Sequence, residues 1–321
     1  MQKTESNVET DSTMPEGKWE FGADVAKCFA NMLERSIPDY RSMRSLVYEL
    51  GKRFVQPSTW ITDIGCSTGL AVEPFYKKYG SGNKYYLIDN SDAMVKECTD
   101  KFSVGIEKGF VKLVNGNFYE LGLPYNQSLV LSILSMQFMP TSYRQNMLKN
   151  IYDALKPGGA FIYVEKIVAD SGMDDLMVDL YYQMKRENGY TEEAIAAKRK
   201  ALENVLSPLK ERWNVDMLRE AGFQKVDMFW RCLNFLGGKV LCRDKLSSRG
   251  NTNRGKASRR LKRSKYTETW GSEGQTLRCA NSCQRVGNSF PGGKVNTNGT
   301  IESGRMTMTW RNSSTQRQSR T

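Results

Sequence analysis

The chain has 321 residues, 39% hydrophobic and 26% charged, which excludes both a small disulfide scaffold and a fully disordered chain. Its net charge of +12 is unevenly placed: residues 1–250 carry 33 Lys and Arg against 32 Asp and Glu, whereas 251–321 carry 14 against 3. Histidine is absent, so Ser-His-Asp and Cys-His machinery, an imidazole base and His-ligated metal sites are all excluded.

Residues 1–18 are polar, lack the apolar segment of a signal peptide, and are expected to form a disordered leader. Val25, Phe29, Met32 and Leu33 recur at helical spacing, which predicts a helix over 24–35, ended by Pro38. A second helix is expected over 41–54, with Leu46, Val47 and Leu50 buried. Short apolar runs then alternate with periodic segments: Trp60–Ile64, Tyr85–Ile88, Phe110–Val114, Leu129–Leu134 and Ala160–Val164. Ser91 and Ser142 are placed as helix N-caps between them. The alternation argues for an α/β fold, a mostly parallel sheet with helices on both faces.

Lys156-Pro157-Gly158-Gly159 should close a helix and turn into the next strand. One charged helical stretch is expected over 173–205, and a helix end at Leu218–Phe223. Val226–Phe235 and Lys239–Cys242 read as an antiparallel hairpin turning at Gly237-Gly238. A single folded domain is thus expected over 19–246. Beyond it, 247–321 has no apolar periodicity and is expected to be a disordered basic tail. Its Arg259–Arg263 cluster reads either as a nucleic-acid-binding arm or, preferably, as an incidental extension.

The seven cysteines are odd in number and scattered, which fits a reducing cytoplasm. Cys279 and Cys283 lack the further ligands of a zinc site, and no metal is expected. The longest apolar stretch, Leu129 to Met139, is too short to span a bilayer, so no membrane contact is expected and a cytoplasmic location is.

The chemistry concentrates at predicted strand ends. Asp63-Ile64-Gly65-Cys66-Ser67-Thr68-Gly69 lies where the first strand meets a helix, and its D-x-G-x-x-x-G spacing is similar to the loop of class I S-adenosylmethionine (SAM) enzymes. The glycines are expected to let the backbone approach a ligand. Asp89, 24 positions after Gly65, suits ribose hydroxyls, with Asn90 beside it. Asn117 and Phe118, after the third strand, suit an adenine edge and face. Three such features at successive strand ends point to an adenosyl ligand.

Further motifs resemble the carboxy-S-adenosyl-L-methionine synthases, within the class I SAM-methyltransferase (Rossmann-like) fold. They are Arg35-Ser36-Ile37-Pro38, Arg53–Pro57, Asp63–Ser67, Ile88–Ser91, Leu155–Gly159, Glu165-Lys166, Lys185–Tyr190, Lys198-Arg199, Ala221–Phe223 and Cys232–Phe235, spread over about residues 19–242. The resemblance implies conversion of SAM and prephenate to carboxy-SAM and phenylpyruvate, with the product feeding carboxymethylation of a tRNA wobble uridine. It implies SAM as a substrate, no metal, and a homodimer whose folded domain does not itself bind nucleic acid. The expected ligand contacts are Tyr40, Gly65, Cys66, Ser67, Asp89, Asn90, Asn117, Phe118 and Arg199, with Arg199 meeting the added carboxylate. In that reaction the base comes from the breaking substrate, so the protein is asked for proximity and electrostatic arrangement.

The chain departs from the family pattern at two positions. Asn117 stands where the family has Asp, and Ile133 where it has Asn. An ordinary SAM-dependent methyltransferase and a non-catalytic SAM- or RNA-binding protein are the alternative readings. Cys66 is read as a small loop residue rather than a nucleophile, and Tyr181 and Tyr182 as packing groups. Glu165-Lys166 suits equally a pocket lining and a strand-end ion pair.

Overall fold

The computed structural model describes residues 17–169 and 172–242; the readings for 1–16 and for the tail, Cys279 and Cys283 included, lie outside them. Helices α1 (Ala23–Ser36) and α2 (Tyr40–Gly51) come first. Strands and helices then alternate as β1 (Trp60–Ile64), α3 (Glu73–Tyr79), β2 (Lys84–Asp89), α4 (Asp92–Glu107), β3 (Val111–Asn115), β4 (Gln127–Ile133), α5 (Thr141–Ala154) and β5 (Leu155–Val168). The second half holds α6 (Asp174–Glu187), α7 (Glu192–Ala201), β6 (Leu209–Lys210), α8 (Glu211–Ala221), β7 (Lys225–Cys232) and β8 (Phe235–Leu241).

The sheet runs β3-β2-β1-β4-β5-β8-β7, with two-residue β6 paired to the end of β5. Pairing is parallel from β3 to β5 and antiparallel on both sides of β8. This is the expected architecture: a parallel core, a C-terminal hairpin, and helices on both faces.

The strands are apolar on both sides because both faces are covered. Leu129, Leu131, Ala160, Ile162 and Val164 pack toward Met43 and Val47 of α2, Phe75 of α3 and Phe102 of α4. Their alternates Val130, Phe161 and Tyr163 pack toward Met147 and Ile151 of α5 and Leu218 of α8. Each large apolar side chain so buried contributes about 1.5–3 kcal/mol. A third cluster joins Trp19, Phe29 and Met32 to Met94 of α4 and Ala201 of α7, and the Trp19 N–H donates to the Ala201 carbonyl at 2.9 Å.

Five local expectations are corrected. Leu46, expected on the buried side of α2, is exposed, and Met43 shares that side with Val47 instead. The hairpin turns at Leu233-Asn234, and Gly237 and Gly238 lie inside β8. They are glycine because aromatic rings lie against that strand: a Cβ on Gly237 would meet the Phe229 ring at 2.7 Å, and one on Gly238 would overlap Tyr163. Lys156–Gly159 sits within β5 as a bulge, since Gln127 pairs with Leu155 but Leu129 with Ala160. Ser142 is not an N-cap; α5 begins at Thr141 after Pro140, leaving Ser142 in the first turn. The stretch over 173–205 divides into α6 and α7 at Gly189, whose φ is +83°. Ser91 does cap α4, its Oγ accepting the Met94 N–H at 3.2 Å.

Among the described residues no helix is long and apolar enough to cross a membrane.

Candidate functional site

β1 has β2 on one side and β4 on the other, so the chain leaves it in opposite senses and a crevice opens at the carboxyl ends of these strands. A cavity of about 210 Å³ lies there. Its floor is Asp63, Gly65 and Cys66 from β1 and its loop, Asp89 at the end of β2 with Asn90 after it, and Ile133 at the end of β4 with Ser135 beyond it. Trp19, Phe21 and Phe29 border it on the apolar side, with Tyr40 and Arg44 of α2 and Phe118 beside the floor. Lys166 of β5, Tyr181 and Lys185 of α6 and Lys198 of α7 form the remaining wall.

The loop after β1 is held by its own protein neighbours. Gly65 has φ +66°, and a Cβ there would overlap the Ser135 side chain; at Gly69, φ +75°, it would overlap Phe102. Packing within the chain therefore requires glycine at both positions. Ser67 adopts φ +50°, directing its N–H to Asp89 Oδ2 at 2.7 Å, while Asp89 Oδ1 accepts the Ser91 N–H at 3.0 Å. Both carboxylate oxygens are thus oriented by backbone donors, and each keeps acceptor capacity. Burial pushes the Asp89 carboxyl upward against these bonds.

Asp63 is the group that the motif reading overlooked as a contact. It is buried and lines the cavity, and its Oδ2 has no hydrogen-bond partner among the described residues. Burial, opposed by the nearby Arg44, drives its pKa to about 8. Arg44 donates to the Leu70 carbonyl and stands 5.9 Å from the Tyr40 ring centroid. The Cys66 Sγ lies 3.8 Å from Cys98 Sγ; that contact and burial hold the Cys66 thiol well above its ordinary pKa, which opposes a nucleophilic role.

Of the nine expected contacts, Tyr40, Gly65, Cys66, Ser67, Asp89, Asn90 and Phe118 line this one cavity. Asn117 stands just behind them, its Oδ1 accepting from Asn90 Nδ2 at 3.0 Å and its Nδ2 donating to Glu120 Oε1 at 3.4 Å. Arg199 is exposed on α7, 6.0 Å from the Tyr182 ring centroid, and does not line the cavity. Ile133 does line it. Its neighbour Ser132 does not replace the family's Asn, because its Oγ pairs with Ser135 Oγ at 2.8 Å. Lys166, Lys185 and Lys198 escaped the sequence reading as a group because they come from three separate elements.

The methyltransferase domain family matches residues 61–159. A carboxy-S-adenosyl-L-methionine synthase from Methylococcus capsulatus is 38% identical over 219 residues, which cover 68% of this chain and 90% of that protein. The chain belongs to the carboxy-SAM synthase family. A second family member, from Yersinia pestis, is 34% identical over 221 residues, 68% of this chain and 82% of that one. A solved structure, a possible exported protein from Bordetella parapertussis, shares the fold at a TM-score of 0.51 and 16% identity, covering 66% of this chain and 72% of that one. As a carboxy-SAM synthase family member the chain belongs to the SAM-dependent transferases, and its cavity lies at the carboxyl ends of the strands, where open α/β sheets generally bind ligands.

Proposed function

We propose that the chain is a carboxy-SAM synthase, converting SAM and prephenate to carboxy-SAM and phenylpyruvate. The observation that carries this reading is the division of the cavity into an acidic pole, Asp63 and Asp89, and a cationic wall, Lys166, Lys185 and Lys198. A SAM-binding pole alone suits any methyltransferase. A lysine-lined wall beside it suits a partner that brings carboxylates.

The acidic pole fits SAM. Asp89, fixed by Ser67 and Ser91, is placed to accept hydrogen bonds from ribose hydroxyls, and Phe118 to flank the adenine ring. The unpartnered Asp63 Oδ2 suits the ammonium of the methionine part, whose charge would draw the carboxyl back toward its ionised form. Bound SAM supplies an activated sulfonium methyl group. The chain's share is to hold the two substrates together in a site bordered by Trp19, Phe21 and Phe29, without a dedicated imidazole base.

On this reading the product serves wobble-uridine carboxymethylation in tRNA, and the protein works as a cytoplasmic homodimer. Any contact with nucleic acid falls to the basic segment 247–321. Arg199 is assigned to the added carboxylate by resemblance alone. The test is mass spectrometry of a reaction containing purified protein, SAM and prephenate. Carboxy-SAM and phenylpyruvate are expected. S-adenosylhomocysteine formed only with a methyl acceptor, and no carboxy-SAM, would replace the proposal with the methyltransferase reading.

A further inference from the structure

Lys166 is a cation in surroundings that do not suit one. Its backbone is pinned at the carboxyl end of β5, where its N–H donates to Gln137 Oε1 at 2.6 Å and the residue pairs with Phe235. Its Nζ lies 4.6 Å from the Tyr181 ring centroid and 5.9 Å from that of Phe235. Among the described residues no carboxylate comes within 4.0 Å of it. Burial depresses its pKa to about 8; Asp174 of α6 acts against this and Arg199 of α7 reinforces it. Two cations that repel each other therefore stand beside the adjacent tyrosines, Lys166 over Tyr181 and Arg199 near Tyr182.

The rest of the same cavity suits a sulfonium ligand, a further cation. A buried ammonium is disfavoured there unless an anion comes beside it. Aromatic faces offset part of that penalty and cannot offset it all. The geometry points to Lys166 as the residue that receives a carboxylate of the second substrate, a dicarboxylic acid bound in the cavity with SAM. This inference rests on the function proposed above and adds the residue that recognises the co-substrate. Arg199 would meet the same anionic region from its outer side, whereas Lys166 meets it from within the cavity.

The test is calorimetric titration of prephenate into the full-length protein saturated with S-adenosylhomocysteine, which has no sulfonium methyl and does not react. At pH 8, in two buffers of different ionisation enthalpy, the wild type should bind prephenate with net proton uptake to which Lys166 contributes, because a carboxylate beside it favours its charged form. Lys166→Met should weaken prephenate at least about tenfold and lower the uptake, any remainder falling to Asp63 in the same cavity, with S-adenosylhomocysteine affinity within about threefold. Lys166→Arg should recover much of the affinity without the Lys166 share of the uptake, since guanidinium is charged at every working pH. Unchanged prephenate affinity in Lys166→Met, an equal fall in S-adenosylhomocysteine affinity, or no prephenate binding by the wild type would overturn the assignment. Wild-type carboxy-SAM formation is followed separately. Its absence, with Lys166-dependent prephenate binding intact, would overturn the proposed reaction and leave the carboxylate site standing.

Discussion

Asp89 Oδ2 accepts the Ser67 N–H at 2.7 Å, so the residue expected to grip the ligand's ribose also ties the loop after β1 to the end of β2. If Asp89 binds the ribose as proposed, ligand binding and loop order are coupled through one carboxylate. Asp89→Ala should weaken S-adenosylhomocysteine by at least about tenfold, since charge-assisted hydrogen bonds contribute about 1.5–3 kcal/mol each. Calorimetry on the folded variant checks this, and unchanged affinity would remove Asp89 from the site.

Gly65→Ala tests the loop from the packing side. A side chain there must adopt φ +66° and displace Ser135, whose Oγ holds the Ile64 carbonyl at 2.5 Å. The left-handed conformation costs about 1–2 kcal/mol and overpacking about 1–3 kcal/mol more. The variant should lose at least about 2 kcal/mol in urea unfolding. Pairing it with Ser135→Gly should recover part of the loss, which a purely ligand-facing glycine would not show.

Glu165 makes stability depend on pH. It is buried at the end of β5, its Oε1 accepts the Met136 N–H at 3.2 Å, and its Oε2 has no partner among the described residues. Burial raises its pKa from 4.5 to about 8 against the opposing pull of Arg144. The folded protein thus keeps a proton that the unfolded chain releases between these values. The contribution is fully present below about pH 4.5 and is lost as pH rises to about 8. The stability of wild type relative to Glu165→Gln should accordingly fall across pH 5–8, by up to about 1.4 kcal/mol per pH unit. Urea midpoints at three pH values measure it. A difference that is flat or rises with pH would contradict the buried, protonated carboxyl.

Arg199→Ala separates the two SAM-family activities. SAM and carboxy-SAM differ only in the added carboxylate, so only a group that meets that carboxylate can tell them apart. A guanidinium–carboxylate pair should be worth roughly 10- to 150-fold in affinity. The variant should lose carboxy-SAM and keep SAM, read by mass spectrometry of ligand released on denaturation. Equal weakening of both would remove Arg199 from that role.

The strands were legible because both faces of the sheet are covered: Leu129–Leu131 and Ala160–Val164 are short uninterrupted apolar runs, and their length, too short for a buried helix, together with the flanking turn residues favours strands. The strand-end side of the cavity was legible because one loop and two strand ends carry it within about 55 residues, from Asp63 to Phe118. The cationic wall was not, because Lys166, Lys185 and Lys198 meet only through the packing of β5, α6 and α7. Gly237-Gly238 misled for a related reason: a glycine pair reads as a turn, whereas here it makes room for Phe229 and Tyr163 contributed from other strands. Asp63 was visible as a motif letter, but its unpartnered oxygen is a property of burial alone.

The reversal of β8 fixes where the folded chain can be handled. Leu241 pairs with Ala160, and the Cys242 N–H donates to the Gly159 carbonyl at 3.0 Å, both at the amino end of β5. Lys166 and the cavity stand at the other end of that strand, six residues or about 20 Å away. A surface anchor, fluorophore or affinity handle joined just after Cys242 is therefore attached at the pole opposite the strand ends that build the cavity. Immobilisation through that point should leave ligand on- and off-rates at their free-solution values.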